Sequence, residues 1–422
     1  MFIIMELDLR LIKMGSNLDK LLEEEKKKTD EKTLKLIEDL QKKRGINEET
    51  AIEILKDSKL LDKILFEISK KVVGEVDTIK TIFLCACGRL VEKANLTSYN
   101  LFVNDESGVG KDWVTDKTLD ILPDGHKIKR TRISPNALTY WHNPKFDPDW
   151  TWDGKVLYLE DISSSVFNHE VLKVMASSGS HATILKDQTP YDIEIKGKPV
   201  IVVTSAAVTP SPENLRRFTI LNLDSSVEQT KAIIERQARL ACQGINLEYD
   251  ERIKTALSFL KRVKVKVPFA EDIVDKFPKE NILMRTHFQR FIDYIKASAA
   301  LHQYQREVDD EGFIEAQKED YEYARIALLK TSSNQYMIPL TKEQKKLLEI
   351  VKNLGESFYS VNDIEPHVTF ISDRWLRAQL DKLAGYGFLE KSTTEQDNRN
   401  VIAYRYSKIT DVSIPTWDEL HN

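Results

Sequence analysis

The sequence predicts an α/β protein: a doubly wound core of parallel strands, followed by a helical lid, with a helical N-terminal segment and a C-terminal winged helix. Three observations carry this. Short, nearly continuous apolar runs at 100–103, 156–159, 199–205 and 218–223 alternate with helical stretches, the pattern of strands buried on both faces of a parallel sheet. From 227 to about 333 the text turns helical, with 285–306 its strongest amphipathic stretch. The remainder places two short helices before strand-like segments at 388–391 and 401–406 around a polar turn, the order of a winged helix-turn-helix. At 422 residues the chain exceeds one compact core. It divides into a helical segment over 1–62, the α/β core over 63–232, the lid over 233–335 and the winged helix over 336–422.

Composition narrows the function. With 41% apolar and 31% charged residues the chain has the makings of a charge-rich globular protein. The 62 basic and 67 acidic residues leave a net charge of −5, so any nucleic-acid contact must come from local basic patches. Three cysteines, two of them in Cys85-Ala86-Cys87, give neither a disulfide framework nor a zinc spacing; a reducing cytoplasm fits. The apolar opening is interrupted at Glu6, Asp8 and Arg10, too soon for a signal peptide or a spanning helix, and no membrane role is expected.

Taken in order, residues 18–62 are dense in Lys and Glu, with Leu34, Ile37, Leu40, Ile52, Ile54 and Leu55 at helical spacing. Alternating charges suggest a solvated helical arm rather than a nucleic-acid tail. Val73-Gly74-Glu75 then precedes an Ile/Leu-rich helix and the strand at 100–103.

That strand runs into Asp105-Glu106-Ser107-Gly108-Val109-Gly110-Lys111-Asp112-Trp113. A P-loop sets a Gly-rich turn between a buried strand and a helix, so that backbone N–H groups and one Lys surround phosphates. Gly108, Gly110 and Lys111 keep the second half of that spacing; Asp105 stands where the first Gly belongs, and Asp112 where a Mg²⁺-binding hydroxyl belongs. The loop therefore points to ATP with Mg²⁺. Asp112 can reach the metal directly, and its charge should weaken phosphate binding when no metal is present.

Glu160-Asp161 end the next apolar run. A carboxylate at the C-terminal end of the strand next to the P-loop is where a Mg²⁺ ligand and a water-orienting base are needed, although paired acids after a strand also serve plain strand-end solvation. Thr204-Ser205 end a further buried strand and can offer a hydroxyl to a γ-phosphate or act as a cap. Arg216-Arg217-Phe218 open another strand, a position from which a cation can reach a neighbouring subunit's nucleotide.

This order of parts resembles the AAA+ ATPases, and within them the minichromosome maintenance helicases and related replication proteins of viruses and mobile elements. The resemblance covers about 65–333. It implies phosphate binding at Lys111, metal and water handling at Glu160 and Asp161, a sensor at Thr204 or Ser205, and a trans-acting finger at Arg217 or, next, Arg216. Arg285, opening the lid's amphipathic helix, is similar to the second sensor. The family's acidic pair is Asp then Glu, reversed here, and the zinc-bearing N-terminal collar of the replicative helicases is absent. Assembly as a homo-oligomer such as a hexameric ring is implied, with DNA as partner.

Residues 181–196 alternate around a turn-rich centre at 187–192 and predict a hairpin; in the family a hairpin here projects into the ring channel. Lys186, Lys196 and Lys198 are its candidate contacts for single-stranded DNA. In the winged helix, 373–383 is the expected recognition helix, with Arg374, Arg377 and Lys382 toward duplex DNA and Arg399 on the wing. Winged helices also dock proteins. Two readings follow: a DNA-stimulated ATPase that remodels or unwinds DNA during replication of a mobile element or virus, or a weakly hydrolysing AAA+ scaffold.

Overall fold

Short apolar runs, rich in valine, leucine and isoleucine and buried at every position, build the centre of the molecule. The computed structural model describes residues 48–105, 108–138, 150–177, 180–186, 189–205, 211–244, 247–279, 284–332, 340–396, 399–407 and 414–421. Five strands form one sheet: β1 (Leu101–Asn104), β2 (Lys127–Arg130), β3 (Val156–Leu159), β6 (Val200–Ser205) and β7 (Thr219–Leu221). Every neighbouring pair in it is parallel, and the order is β2-β3-β6-β1-β7. Phe102, Leu157, Leu159, Ile201, Val203 and Ile220 pack on one face, Leu101, Val103, Val156, Tyr158, Val200, Val202 and Leu221 on the other. That alternation follows from the strand's two-residue repeat, with both faces covered.

The first helices, α1 (Glu48–Lys56) and α2 (Leu60–Ser69), bury Ala51, Leu55, Leu60, Leu61, Ile64 and Ile68 in the main core. They are structural walls, so the solvated arm expected for this stretch does not extend past residue 47; Leu34, Ile37 and Leu40 lie outside the described residues. Helix α3 (Val76–Cys87) precedes β1, and α4 (Lys111–Leu119) follows it.

Helices α5 (Ser164–Phe167) and α6 (Glu170–Ser177) lead to an antiparallel hairpin, β4 (Ser180–Lys186) with β5 (Thr189–Ile195), in register from Ser180 opposite Ile195 to Lys186 opposite Thr189. The expected hairpin is there, but its turn is shorter, because Thr189–Asp192 already pair. Helix α7 (Pro212–Arg217) ends in Arg216 and Arg217. The two arginines therefore close a helix capped by Ser211 rather than open a strand, and β7 covers three residues of the longer run predicted.

The helical stretch that contains the segment expected as a lid consists of α8 (Val227–Gln243), α9 (Glu251–Leu257), α10 (Ala270–Lys276), α11 (Met284–Leu301) and α12 (Lys318–Ser332), with a small parallel pair β8 (Lys264–Lys266) and β9 (Phe313–Glu315). The C-terminal module runs α13 (Lys342–Leu354), β10 (Tyr359–Ser360), α14 (Val361–Ile364), α15 (Asp373–Gly385), β11 (Leu389–Gln396) and β12 (Arg399–Tyr406), its sheet ordered β10-β12-β11. The two-residue β10 was not apparent in the sequence. Leu347, Leu376, Leu380 and Tyr404 of this module belong to the apolar cluster on the Phe102 face of the main sheet. A last helix, α16 (Trp417–Leu420), returns to the lid: Trp417 meets Phe269 edge-on at 4.8 Å, and Arg325 and Tyr321 hydrogen-bond the carbonyls of Ile414 and Pro415. Among the described residues no helix is long and apolar enough to cross a membrane.

Candidate functional site at the C-terminal edge of the sheet

All five strands point their C-terminal ends to one edge, and the chain turns there after β1 into α4. Gly108 and Gly110 adopt φ of 95° and 96°, a region closed to most side chains. Nothing lies within 4 Å of a Cβ placed on either, so backbone dihedral, not crowding, selects glycine, and the loop stays open on its outer side. Glu106 and Ser107 lie outside the described residues. Lys111 is the first residue of α4 and only 4% exposed. A buried ammonium at the positive end of a helix dipole is a place short of negative charge; Asp112 Oδ2, 3.5 Å away, supplies part of it.

Asp105 and Asp112 have distinct positions. The Asp105 carboxylate accepts the Leu223 amide at 3.0 Å, tying the exit of β1 to the segment after β7. Asp112 Oδ1 accepts the hydroxyl proton of Thr204. Thr204 is fully buried at the tip of β6, opposite Val103, and its Oγ1 also accepts the Asp161 amide at 3.1 Å. One hydroxyl thus joins the P-loop helix to the acidic strand end. Ser205 donates to Ile162 O at 3.0 Å, and of the two sensor candidates it is Thr204 whose hydroxyl meets Asp112.

The acidic pair follows β3, but β3 is not the neighbour of β1: β6 lies between them. The adjacency expected from the sequence is wrong, because strand order in a parallel sheet need not follow chain order, while the shared edge is as expected. Glu160 pairs with Lys129 at 3.0 Å, and Lys129 also meets Asp116 at 3.0 Å. Burial opposes charge on Lys129, yet the two carboxylates outweigh it and hold its pKa above the ordinary lysine value. Asp161 is exposed, with φ of 46°. Tyr158, at the tip region of the same strand, donates to Asp112 O at 3.4 Å.

Beside the loop lies a cavity of about 680 Å³, lined on one side by Val73, Glu75, Gly108, Gly110 and Trp113 and on the other by Leu223, Gln229 and Arg236, a volume typical of small-molecule sites. Gly74 and Glu75 both have positive φ. A Cβ on Gly74 would meet Gln229 Oε1 at 2.3 Å, and Gln229 Nε2 donates to Val73 O at 2.7 Å. Trp113 is 56% exposed and donates to Lys71 O at 3.0 Å. The contribution of α8 was missed: Ile233, Gln237 and Leu240 form a helical stripe, legible as amphipathic but facing a cavity rather than a core, since α8 buries no residue.

Arg217 contacts Glu213 Oε1 at 3.0 Å, and Arg216 is exposed. Both stand before β7, at the level of Asn100, whose carbonyl accepts the Thr219 amide. Strands rise about 3.3 Å per residue, so the length of β1 separates them from the loop. Arg285 is exposed at the start of α11 and does not line the cavity; Arg290, further along that helix, donates to Arg216 O at 3.4 Å.

Among the basic candidates, Lys196 is exposed just after β5. Lys198 donates to Ser177 O, and burial lowers its pKa. The Lys186 and Arg399 side chains lie outside the described residues. On α15, Leu376, Leu380 and Leu383 are buried while Arg374, Arg377 and Lys382 are exposed; Trp375 is 37% exposed and shares their side rather than the core.

Magnesium takes six oxygen ligands in octahedral geometry, commonly one or two carboxylates with phosphate and water completing the shell. Asp112, Glu160 and Asp161 do not form one three-carboxylate cluster, and among the described residues no group of three or more His, Cys, Asp or Glu side chains gathers for a metal. Asp112 with the Thr204 hydroxyl beside Lys111 is nevertheless an oxygen-donor set of the kind Mg²⁺ shares with phosphate.

A parallel α/β sheet with a Gly-Val-Gly-Lys turn between a buried strand and a helix defines a P-loop protein. The chain belongs to the MTBMA_p00010 P-loop domain family, whose model matches residues 45–263, just over half of its length. The match begins at the edge of α1 and runs to the strand-like segment before β8, so α1, α2 and the first lid helices fall within the domain. No curated protein matches the chain. P-loop domains generally bind nucleotide with Mg²⁺, and nucleotide binding is the function class that the family supports.

Proposed function

We propose that the protein is an ATP-dependent, DNA-remodelling ATPase of AAA+ type, similar to the minichromosome maintenance helicases, working as a homo-oligomer on the DNA of a mobile element or virus. One observation carries this most: Lys111, Thr204 and the Glu160-Asp161 pair share one edge of a sheet ordered β2-β3-β6-β1-β7, with the sensor strand between loop and acids. In that reading Lys111 and the loop amides hold the phosphates, Asp112 takes the metal with Glu160 or Asp161 near it, and one of those acids orients water. Arg217, on the opposite edge, reaches a neighbour's nucleotide, and Arg285, at the start of α11, serves as the second sensor. The β4-β5 hairpin with Lys186, Lys196 and Lys198 meets single-stranded DNA in a central channel. The C-terminal module, as a winged helix, presents Arg374, Arg377, Lys382 and Arg399 to duplex DNA.

A second reading, a weakly hydrolysing scaffold or initiator, draws on the Glu160–Lys129 pair at 3.0 Å, which occupies a carboxylate that a hydrolytic site would keep for water. ATP turnover with and without single-stranded DNA, in wild type and Lys111→Ala, separates the two. Lys111-dependent, DNA-stimulated turnover supports the enzyme; nucleotide binding that depends on Lys111 with no turnover supports the scaffold.

A further inference from the structure

We infer that Asp112 is a built-in counter-ion that makes the phosphate site metal-gated: without a divalent cation it occupies both Lys111 and Thr204, and binding of the cation releases both to the nucleotide. The inference rests on the nucleotide-site reading above and adds a defined order of events to it.

The geometry is specific. Asp112 Oδ2 lies 3.5 Å from Lys111 Nζ, while Oδ1 takes the Thr204 hydroxyl proton. Lys111 is 4% exposed and Thr204 0%, so neither group has bulk water as an alternative partner, while the Asp112 side chain, 37% exposed, is open to a metal from outside. An incoming phosphate then meets a lysine already part-neutralised and a carboxylate of like sign beside it. A short hydroxyl at this position would create neither obstacle. A divalent cation inverts the arrangement, because a carboxylate is its preferred ligand. Asp112 turned to the metal leaves Lys111 with its full charge and Thr204 with a free hydroxyl proton. Since Thr204 Oγ1 also accepts the Asp161 amide at 3.1 Å, the same change is felt at the acidic strand end, where Asp161 has φ of 46°.

The test is the affinity of the full chain for a fluorescent methylanthraniloyl-ATP in Mg²⁺ and in EDTA, for wild type, Asp112→Asn and Asp112→Ser. Expected is a loss of about 100-fold for wild type when the metal is removed, against less than about tenfold for both variants, which should bind more tightly than wild type in EDTA. Asp112→Asn keeps size and an acceptor for Thr204, guarding against a folding artefact. Adding Lys111→Ala to Asp112→Asn should abolish the gain in EDTA. Equal metal dependence in wild type and both variants overturns the inference and leaves the nucleotide site standing. No binding by wild type even in Mg²⁺ overturns both.

Discussion

The Asp105 carboxylate accepts a hydrogen bond of 3.0 Å from the amide of Leu223, a residue that lines the cavity beside the loop. The position that a P-loop usually gives to glycine therefore holds a side chain with a structural duty: it fixes where the loop leaves β1 relative to the segment that walls the cavity after β7. Replacing Asp105 by Ala leaves the Leu223 amide without this partner. The expected cost is about 1–3 kcal/mol, measured as a lower urea midpoint with an unchanged slope. A variant as stable as wild type would show the contact to be incidental.

Acid sensitivity has an identifiable source in His126. Burial and the nearby cations Arg89 and Lys155 hold its imidazole down at about 4, against 6.5 for an unhindered histidine. The unfolded chain thus takes up the proton first. Stability from keeping His126 neutral is complete above about pH 6.5 and is lost progressively as pH falls toward 4, where the folded state protonates too. His126→Leu should flatten that part of the stability-versus-pH curve. Unchanged curvature between pH 4 and 6.5 would assign the effect to other groups.

Much of the core was readable in the residues themselves. Val156–Leu159 and Val200–Ser205 are fully buried strands, and continuous β-branched and aromatic runs admit few other solutions. Lys111 was legible because a Gly-x-Gly-Lys string after a buried strand constrains both backbone and charge. What could not be read was pairing over distance. Chain order gave no sign that β6 separates β1 from β3, since parallel strands linked by helices can be laid down in several orders. Arg216 and Arg217 misled because a six-residue helix capped by Ser211 carries too little periodicity to compete with the apolar run behind it. On α15 helix phase puts Leu376 and Leu380 inside and leaves Trp375 37% exposed. The return of α16 to the lid depends on Trp417 meeting Phe269 and Tyr321, contacts between residues far apart in sequence that no local pattern announces.

The lid has its own buried charge. Asp320 is fully buried, with Ser298 Oγ at 2.6 Å, the Gln317 amide at 2.9 Å, Arg306 Nη2 at 3.0 Å and His302 Nδ1 at 3.3 Å. Burial pushes its pKa up, but His302 and Arg306 outweigh that, and the net shift is downward. Removing one member of a buried set leaves the others uncompensated, so Asp320→Ala should cost about 3–5 kcal/mol. The protonation part of this stability is present above about pH 4 and lost as pH falls through the lowered value. Thermal unfolding of Asp320→Ala with a midpoint equal to wild type would contradict the network's role in joining α11 to α12.

Arg217 offers the sharpest test of subunit sharing. It stands before β7 at the level of Asn100, a strand length from its own Lys111, and is held by Glu213 at 3.0 Å on a surface helix. From there its guanidinium cannot serve the phosphates of the same chain without dismantling the sheet edge, whereas a neighbouring copy could present its loop to it. If the proposed ATPase reading holds, an arginine so placed acts between subunits, where loss of such a finger costs on the order of 10³-fold or more in turnover. Arg217→Ala chains mixed with Lys111→Ala chains, each inactive alone, should then recover part of the wild-type ATP turnover, because a site with an intact Lys111 on the first can take its arginine from the second. No recovery of turnover on mixing the two inactive chains would mean that Arg217 acts within its own chain or not at all.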